Sequence, residues 1–156
     1  MNNSDEYERM LKILSQQARV ALMGSFCLYY TYPEILEKDP PDADLLTINN
    51  KENLKTIIEI FLNNGYSVFS WKDAIKNSDF DFSNLNYRYY FRAVKDDIVF
   101  DITYYNEYYS FESLENHIFT INSIKVLDKS AMILIYRVCN NVKHNRIIEI
   151  LDSSQC

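Results

Sequence analysis

A short apolar run, Val20-Ala21-Leu22-Met23, is cut by Gly24-Ser25 and followed at once by Phe26 to Tyr32, a stretch apolar on all sides. The run reads as a buried first strand and the stretch as a buried helix with Ser25 at its N-cap. Gly24 is one of only two glycines in the chain; the other is Gly65. With so few, each is expected where backbone geometry demands a residue without a Cβ.

The elements on either side follow the same logic. Residues 5 to 20 read as a helix with Tyr7, Met10, Ile13, Leu14 and Gln17 on one stripe, and with Glu6, Glu8, Arg9 and Lys12 in solvent. Pro33 ends or kinks the buried helix, and Lys38-Asp39-Pro40-Pro41 is an extended loop. Ala43 to Ile48 reads as a second strand. Asn49 to Asn64 is a helix with Leu54, Ile57, Ile58, Phe61 and Leu62 at helical spacing, stopped by Asn64-Gly65. Tyr66 to Trp71 is a strand, and Lys72 to Asn84 is polar and irregular. Tyr87 to Val94 and Ile98 to Tyr104 flank Lys95-Asp96-Asp97 as a hairpin. Ser110 to Asn116 reads as a short helix and Ile118 to Leu127 as a short strand pair. Lys129 to Cys139 and Lys143 to Leu151 are two closing helices, and the last residues fray. This order gives an α/β or α+β fold: a mixed β-sheet flanked by helices, with C-terminal helices. A chain of 156 residues fits a single domain, its core at about 18–127 and its closing helices at about 128–151.

The net charge of −6, with no block of lysine or arginine, counts against a protein built to grip nucleic acid. A brief encounter with RNA is still compatible with it. The start of the chain is polar and acidic, unlike a signal peptide, and no apolar run nears the roughly 20 residues that span a bilayer. Cys27, Cys139 and Cys156 are widely spaced, which suggests free thiols of a cytoplasmic protein. His117 and His144 stand alone, without metal-ligand spacing.

The chemistry is carried by acids. Asp42 and Asp44 flank Ala43, so on a strand both carboxylates aim to one face while Ala43 turns into the core. Their Cα atoms would lie roughly 6.5 Å apart. Carboxylates at that spacing suit metals roughly 3.5–4 Å apart, as used in phosphoryl displacement. Ligands that are all oxygen point to Mg²⁺ or Mn²⁺. Asp101, inside the apolar run Ile98 to Ile102, becomes the third ligand if its strand lies beside that of Asp44. Gly24-Ser25 opens a helix whose N-terminal N–H groups favour phosphate. Each feature alone has a plainer reading, an acid at a turn or a helix cap. Their order along the chain gives them common meaning.

On Met23-Gly24-Ser25, Asp42-Ala43-Asp44-Leu45-Leu46 and Phe100-Asp101-Ile102, the chain resembles the DNA polymerase β-like nucleotidyltransferase superfamily. The layout from about 18 to 151, with Asn64-Gly65-Tyr66 after a helix and Ile124-Lys125-Val126-Leu127 before two more, looks most like its small lincosamide-modifying and abortive-infection-toxin branches. The resemblance implies a nucleotidyltransferase fold and a metal-dependent enzyme. Gly24 and Ser25 would hold the β- and γ-phosphates of a nucleoside triphosphate such as ATP. Asp42 and Asp44 would bind the metal that bridges the phosphates. All three acids would bind a second metal that activates the acceptor hydroxyl, with Asp101 also a candidate general base. Nucleoside monophosphate would pass to a small, antibiotic-like acceptor, and pyrophosphate would leave. Two rivals are a toxin- or antitoxin-type transferase acting on tRNA or protein, and an inactive binding module that keeps the fold. Phe26, where the family favours small residues, and the Pro-Pro approach to Asp42 motivate the last. Many small enzymes of this kind pair, so a homodimer is a further expectation.

Other residues read two ways. Tyr104, Tyr105, Tyr108 and Tyr109 follow the Asp101 strand and could line an acceptor pocket, although tyrosine also suits half-buried strands. Glu107 could accept a proton or simply be solvated. Arg88 and Arg92, on one strand face, could contact phosphate or pair at the surface. Lys129, Arg137, Lys143 and Arg146 read as solvated helix faces, with Arg137 the best placed for a nucleotide.

Overall fold

The computed structural model describes residues 3–32, 42–70, 73–78, 90–139 and 142–153. Pro33, the loop Lys38 to Pro41, Arg88, most of the stretch from Lys72 to Asn84, the side chains of Lys143 and His144, and Cys156 lie outside the described residues.

The chain runs α1 (Asn3–Gln17), β1 (Val20–Met23), α2 (Gly24–Thr31), β2 (Ala43–Thr47), α3 (Lys51–Asn63), β3 (Ser67–Ser70), β4 (Asp73–Ile75), β5 (Tyr90–Lys95), β6 (Ile98–Thr103), α4 (Phe111–Leu114), β7 (Ile118–Ile121), β8 (Ile124–Leu127), α5 (Lys129–Cys139) and α6 (Val142–Ser153). The strands form one mixed sheet in the order β4-β3-β5-β6-β2-β1-β8-β7. β2 runs parallel to β6 and β1 parallel to β8; the other neighbours are antiparallel. A mixed α/β architecture was expected and is found.

Alternation in β2, β5 and β6 sorts the two sheet faces. Ala43, Ala93 and Phe100 stand in one register row and are fully buried. α1 and α3 cover that face: the rings of Tyr7 and Phe61 each lie 5.2 Å from that of Phe100. The backbone N–H of Val99 donates to the Tyr7 hydroxyl at 2.9 Å, which ties α1 to β6. A fully buried aromatic ring of this kind contributes roughly 2–3 kcal/mol. Ala43 therefore turns inward as its spacing requires, and Asp44 and Asp101 face the other way.

α1 is also held at its N-terminal end. Arg9 Nη2 and the Tyr66 hydroxyl both donate to Glu6 Oε1, at 2.7 and 2.9 Å. Arg9 Nη1 also donates to Asn64 Oδ1 at 3.0 Å, and Lys95 Nζ to the Asn64 carbonyl at 3.1 Å. Gly65, at φ +84°, makes the stop of α3 that this network grips.

Several local expectations are corrected. α1 ends at Gln17, which is exposed, and Leu11 and Ser15 join the buried stripe instead. Glu6 and Arg9 are bound into the network above rather than simply solvated. The stretch after Ser70 contains a strand, β4, that pairs with β3. The β5–β6 turn holds only Asp96 and Asp97, because Lys95 pairs with Ile98. Asp96 takes φ 52°, as tight hairpins require. Among the described residues, no helix is long and apolar enough to cross a membrane.

Candidate metal centre

One register row carries the charged side chains. Met23 on β1 pairs with Asp44 on β2, Asp44 with Asp101 on β6, and Asp101 with Arg92 on β5. Paired residues on adjacent strands share a face, so Asp44, Asp101 and Arg92 stand side by side. Asp42, in the bend just before β2, adds a third carboxylate. One oxygen from each of Asp42, Asp44 and Asp101 lies within 4.8 Å of the others, the one such group of potential ligands among the described residues.

Gly24 closes the row on the β1 side. Its φ is +72°, in the left-handed region, and a Cβ built there would fall 2.7 Å from Asp44 Oδ2. Backbone shape and space both call for glycine at this point. Ser25 is not the N-cap that its position suggested. The cap is Met23, in extended conformation and without a side-chain cap bond, and Ser25 lies in the first turn of α2. Its side chain interacts with the hydroxyl of Tyr136 on α5. Phe26 turns away from the glycine turn. It is 3% exposed and its ring lies 4.8 Å from that of Tyr7. The bulky ring is thus part of the core.

The electrostatics are those of crowded acids. Burial, then the Asp42 and Asp101 carboxylates, push Asp44 up to about 7, while Arg92 opposes the rise. Burial and then Asp101 raise Asp42 as well. Three carboxylates this close cannot all ionise freely without a compensating cation. Arg92 supplies part of it, with Nε donating to Asp101 Oδ1 at 2.7 Å and Nη2 to Oδ2 at 3.0 Å. The donor set is all oxygen, grouped on one sheet face and cradled by a residue without a side chain. It fits a hard divalent cation such as Mg²⁺ or Mn²⁺.

Beyond the C-terminal ends of β2 and β6 lies a cavity of about 270 Å³, lined in part by Leu46, Tyr104, Tyr105, Tyr109 and Phe111. Burial, then Cys139 and Asp44, raise the Tyr109 hydroxyl to about 12, which places Tyr109 within electrostatic reach of the acids. Three of the four tyrosines singled out in the sequence reach this cavity. Tyr108 does not, and is 64% exposed.

The other candidates are accounted for elsewhere. Arg137 pairs with Asp152 of α6 at 2.9 Å. Glu107 is exposed. His117 does not stand alone: its Nδ1 lies 2.9 Å from Asp128 Oδ2. The sequence leaves Arg92 between phosphate contact and surface pairing; in the fold its partner is Asp101. Nor does the sequence show Tyr136 beside Ser25. The β5–β6 turn length could have revealed the first; nothing local to Tyr136 signals the second.

No protein-family model, curated protein or solved structure gives a significant match to this chain.

Proposed function

We propose that the chain is a metal-dependent nucleotidyltransferase that moves a nucleoside monophosphate from a nucleoside triphosphate to a hydroxyl of a small acceptor. The observation that carries this reading is the meeting of Asp42, Asp44 and Asp101. Acids from distant parts of the sequence bring one oxygen each within 4.8 Å beside a glycine turn.

Asp42, Asp44 and Asp101 hold Mg²⁺ or Mn²⁺, which when bound neutralises phosphate charge and lowers the pKa of an acceptor hydroxyl. The chain's own groups do the rest. Backbone N–H groups at Gly24 and Ser25, at the start of α2, hold the terminal phosphates. Asp101 takes the acceptor's proton as its oxygen bonds to the α-phosphorus, and the bond from that phosphorus to pyrophosphate breaks. The glycine turn adjoins β1 beside Asp44, and the aromatic cavity lies beyond the other end of β2. Phosphates and acceptor therefore approach the acids from opposite sides. The cavity's size and the chain's net charge of −6 favour a small, neutral or cationic acceptor bearing a ring.

Calorimetric titration with ATP, GTP, CTP and UTP, with and without Mg²⁺, tests the reading. Binding of at least one triphosphate that needs Mg²⁺, and that is lost in Asp42→Asn and Asp44→Asn, supports it. Absence of metal-dependent binding for all four would sink it. A labelled triphosphate offered with small hydroxyl compounds or with tRNA then separates the small-molecule acceptor from the RNA-modifying alternative.

A further inference from the structure

Arg92 is the one arginine whose guanidinium grips a member of the acid trio in the structure described, and its geometry there is two-sided. Its side chain is 49% exposed, yet Nε and Nη2 engage both oxygens of Asp101, whose own side chain is 14% exposed. The forked pair is the strong form of this interaction, and it uses the Asp101 oxygens that a metal would need. Neither partner is placed there by chance side-chain wandering. Arg92 and Asp101 are direct cross-strand neighbours, with Lys95↔Ile98 setting the register.

We propose that Arg92 is the resident counter-cation of the site: a divalent ion displaces it from Asp101, and the released guanidinium then takes a phosphate oxygen of the substrate. The inference rests on the nucleotidyltransferase reading above. A guanidinium and a divalent ion beside the same carboxylate repel each other, so metal entry weakens the pair. The freed fork stays on the same sheet face as Asp44 and keeps its match to phosphate. Coupling the two events lets the site hold metal weakly alone and firmly with a polyphosphate. Arg92 is in this sense a positioning residue that ties metal binding to substrate binding.

Two opposite changes in one variant identify the exchange. Relative to wild type, Arg92→Gln binds Mn²⁺ alone roughly tenfold more tightly, because the competing charge is gone. With saturating Mg²⁺ it binds tripolyphosphate roughly tenfold more weakly, because the fork is gone. Arg92→Lys, which keeps the charge without the fork, recovers the wild-type Mn²⁺ affinity but only part of the tripolyphosphate affinity. An independent readout uses the unmodified chain: the ¹⁵N signal of Arg92 Nε shifts as Mg²⁺ is added. Unchanged or weaker Mn²⁺ binding by Arg92→Gln, or an Nε signal that stays put while Mg²⁺ binds, overturns the exchange and leaves the metal site standing. Failure of wild type to bind Mn²⁺ even with saturating tripolyphosphate present removes the nucleotidyltransferase reading, and this inference with it.

Discussion

Asp44 and Asp101 are direct neighbours across the parallel strands β2 and β6, and burial together with its fellow acids pushes the Asp44 carboxyl up to about 7. The folded chain thus holds the Asp44 proton more tightly than the unfolded chain, where the carboxyl titrates near 4. The unfolded state binds fewer protons between those values, so stability falls as pH rises from about 4 to about 7 and is flat above. Asp44→Asn removes that slope. At pH 8, without metal, the variant should be more stable than wild type by about 1–3 kcal/mol, allowing for partial solvent screening. At pH 4 the two should agree. Urea unfolding at both values measures the difference, and an Asn variant less stable at pH 8 contradicts the crowding of these acids.

Metal binding should show the same titration with the opposite sign. A cation competes with the Asp44 proton, so Mn²⁺ affinity should climb with pH, by up to about tenfold per unit, and level off above about 7. Calorimetry in buffers of different ionisation enthalpy would show about one proton released per ion near pH 6. A pH-independent affinity between 5 and 7 would mean that Asp44 is not a ligand.

Much of this is legible in the amino-acid sequence. Two apolar runs around Gly24-Ser25 became β1 and α2, and the acid-x-acid spacing placed Ala43 inward and Asp44 outward, because strand alternation is local and rigid. What the sequence hid was long-range register. Counting Lys95 into the β5–β6 turn shifts the hairpin by one residue and sets Phe91, rather than Arg92, opposite Asp101. One residue of turn length decides whether the third acid faces a ring or a guanidinium. The strand β4 was hidden for a related reason. Asp73 and Ala74 lack strand character, Ile75 alone favours it, and the three are recruited by pairing with β3 at the sheet edge. Phe26 was legible as apolar but not in direction, which Tyr7 on another helix decides.

Gly24→Ala should separate shape from charge. The new Cβ meets Asp44 Oδ2 at 2.7 Å and sits on a backbone with φ +72°. Strain of this kind costs about 1–3 kcal/mol. Relief by moving the Asp44 carboxylate would disperse the ligand oxygens. The expected outcome is a lower melting temperature together with at least tenfold weaker Mn²⁺ binding. A variant that loses stability but binds Mn²⁺ as wild type does would show that the turn, not the acid, absorbs the methyl group.

Glu6 offers a control in the polar network that joins α1 to Asn64, Tyr66 and Lys95. Its hydrogen bond from Arg9, with help from Tyr66 and Lys95, outweighs burial and holds its carboxyl below the ordinary value. For a lowered carboxyl the stabilisation is present above the unfolded value near 4.3 and is lost as pH falls through the folded one. Glu6→Gln should cost about 1–2 kcal/mol at pH 7 and less at pH 3, with Mn²⁺ affinity unchanged. Altered metal binding would reveal coupling along α1, whose Tyr7 hydroxyl touches β6 two residues before Asp101.

The aromatic cavity should govern the acceptor and leave the metal alone. Tyr105 is 48% exposed at its mouth, so truncating it removes ring surface without opening the core. Tyr105→Ala should keep the wild-type melting temperature within about 2 °C, as expected for a surface change of up to 0.5 kcal/mol. Mg²⁺-dependent triphosphate binding should also be unchanged, since Gly24 and the acids lie at the other end of β2. With an acceptor found by the labelled-triphosphate screen, KM should rise about fivefold or more, the loss of one stacking partner of about 1 kcal/mol, while kcat holds. A Tyr105→Ala chain with unchanged acceptor KM would place the acceptor outside this cavity, on the open sheet face beside Arg92.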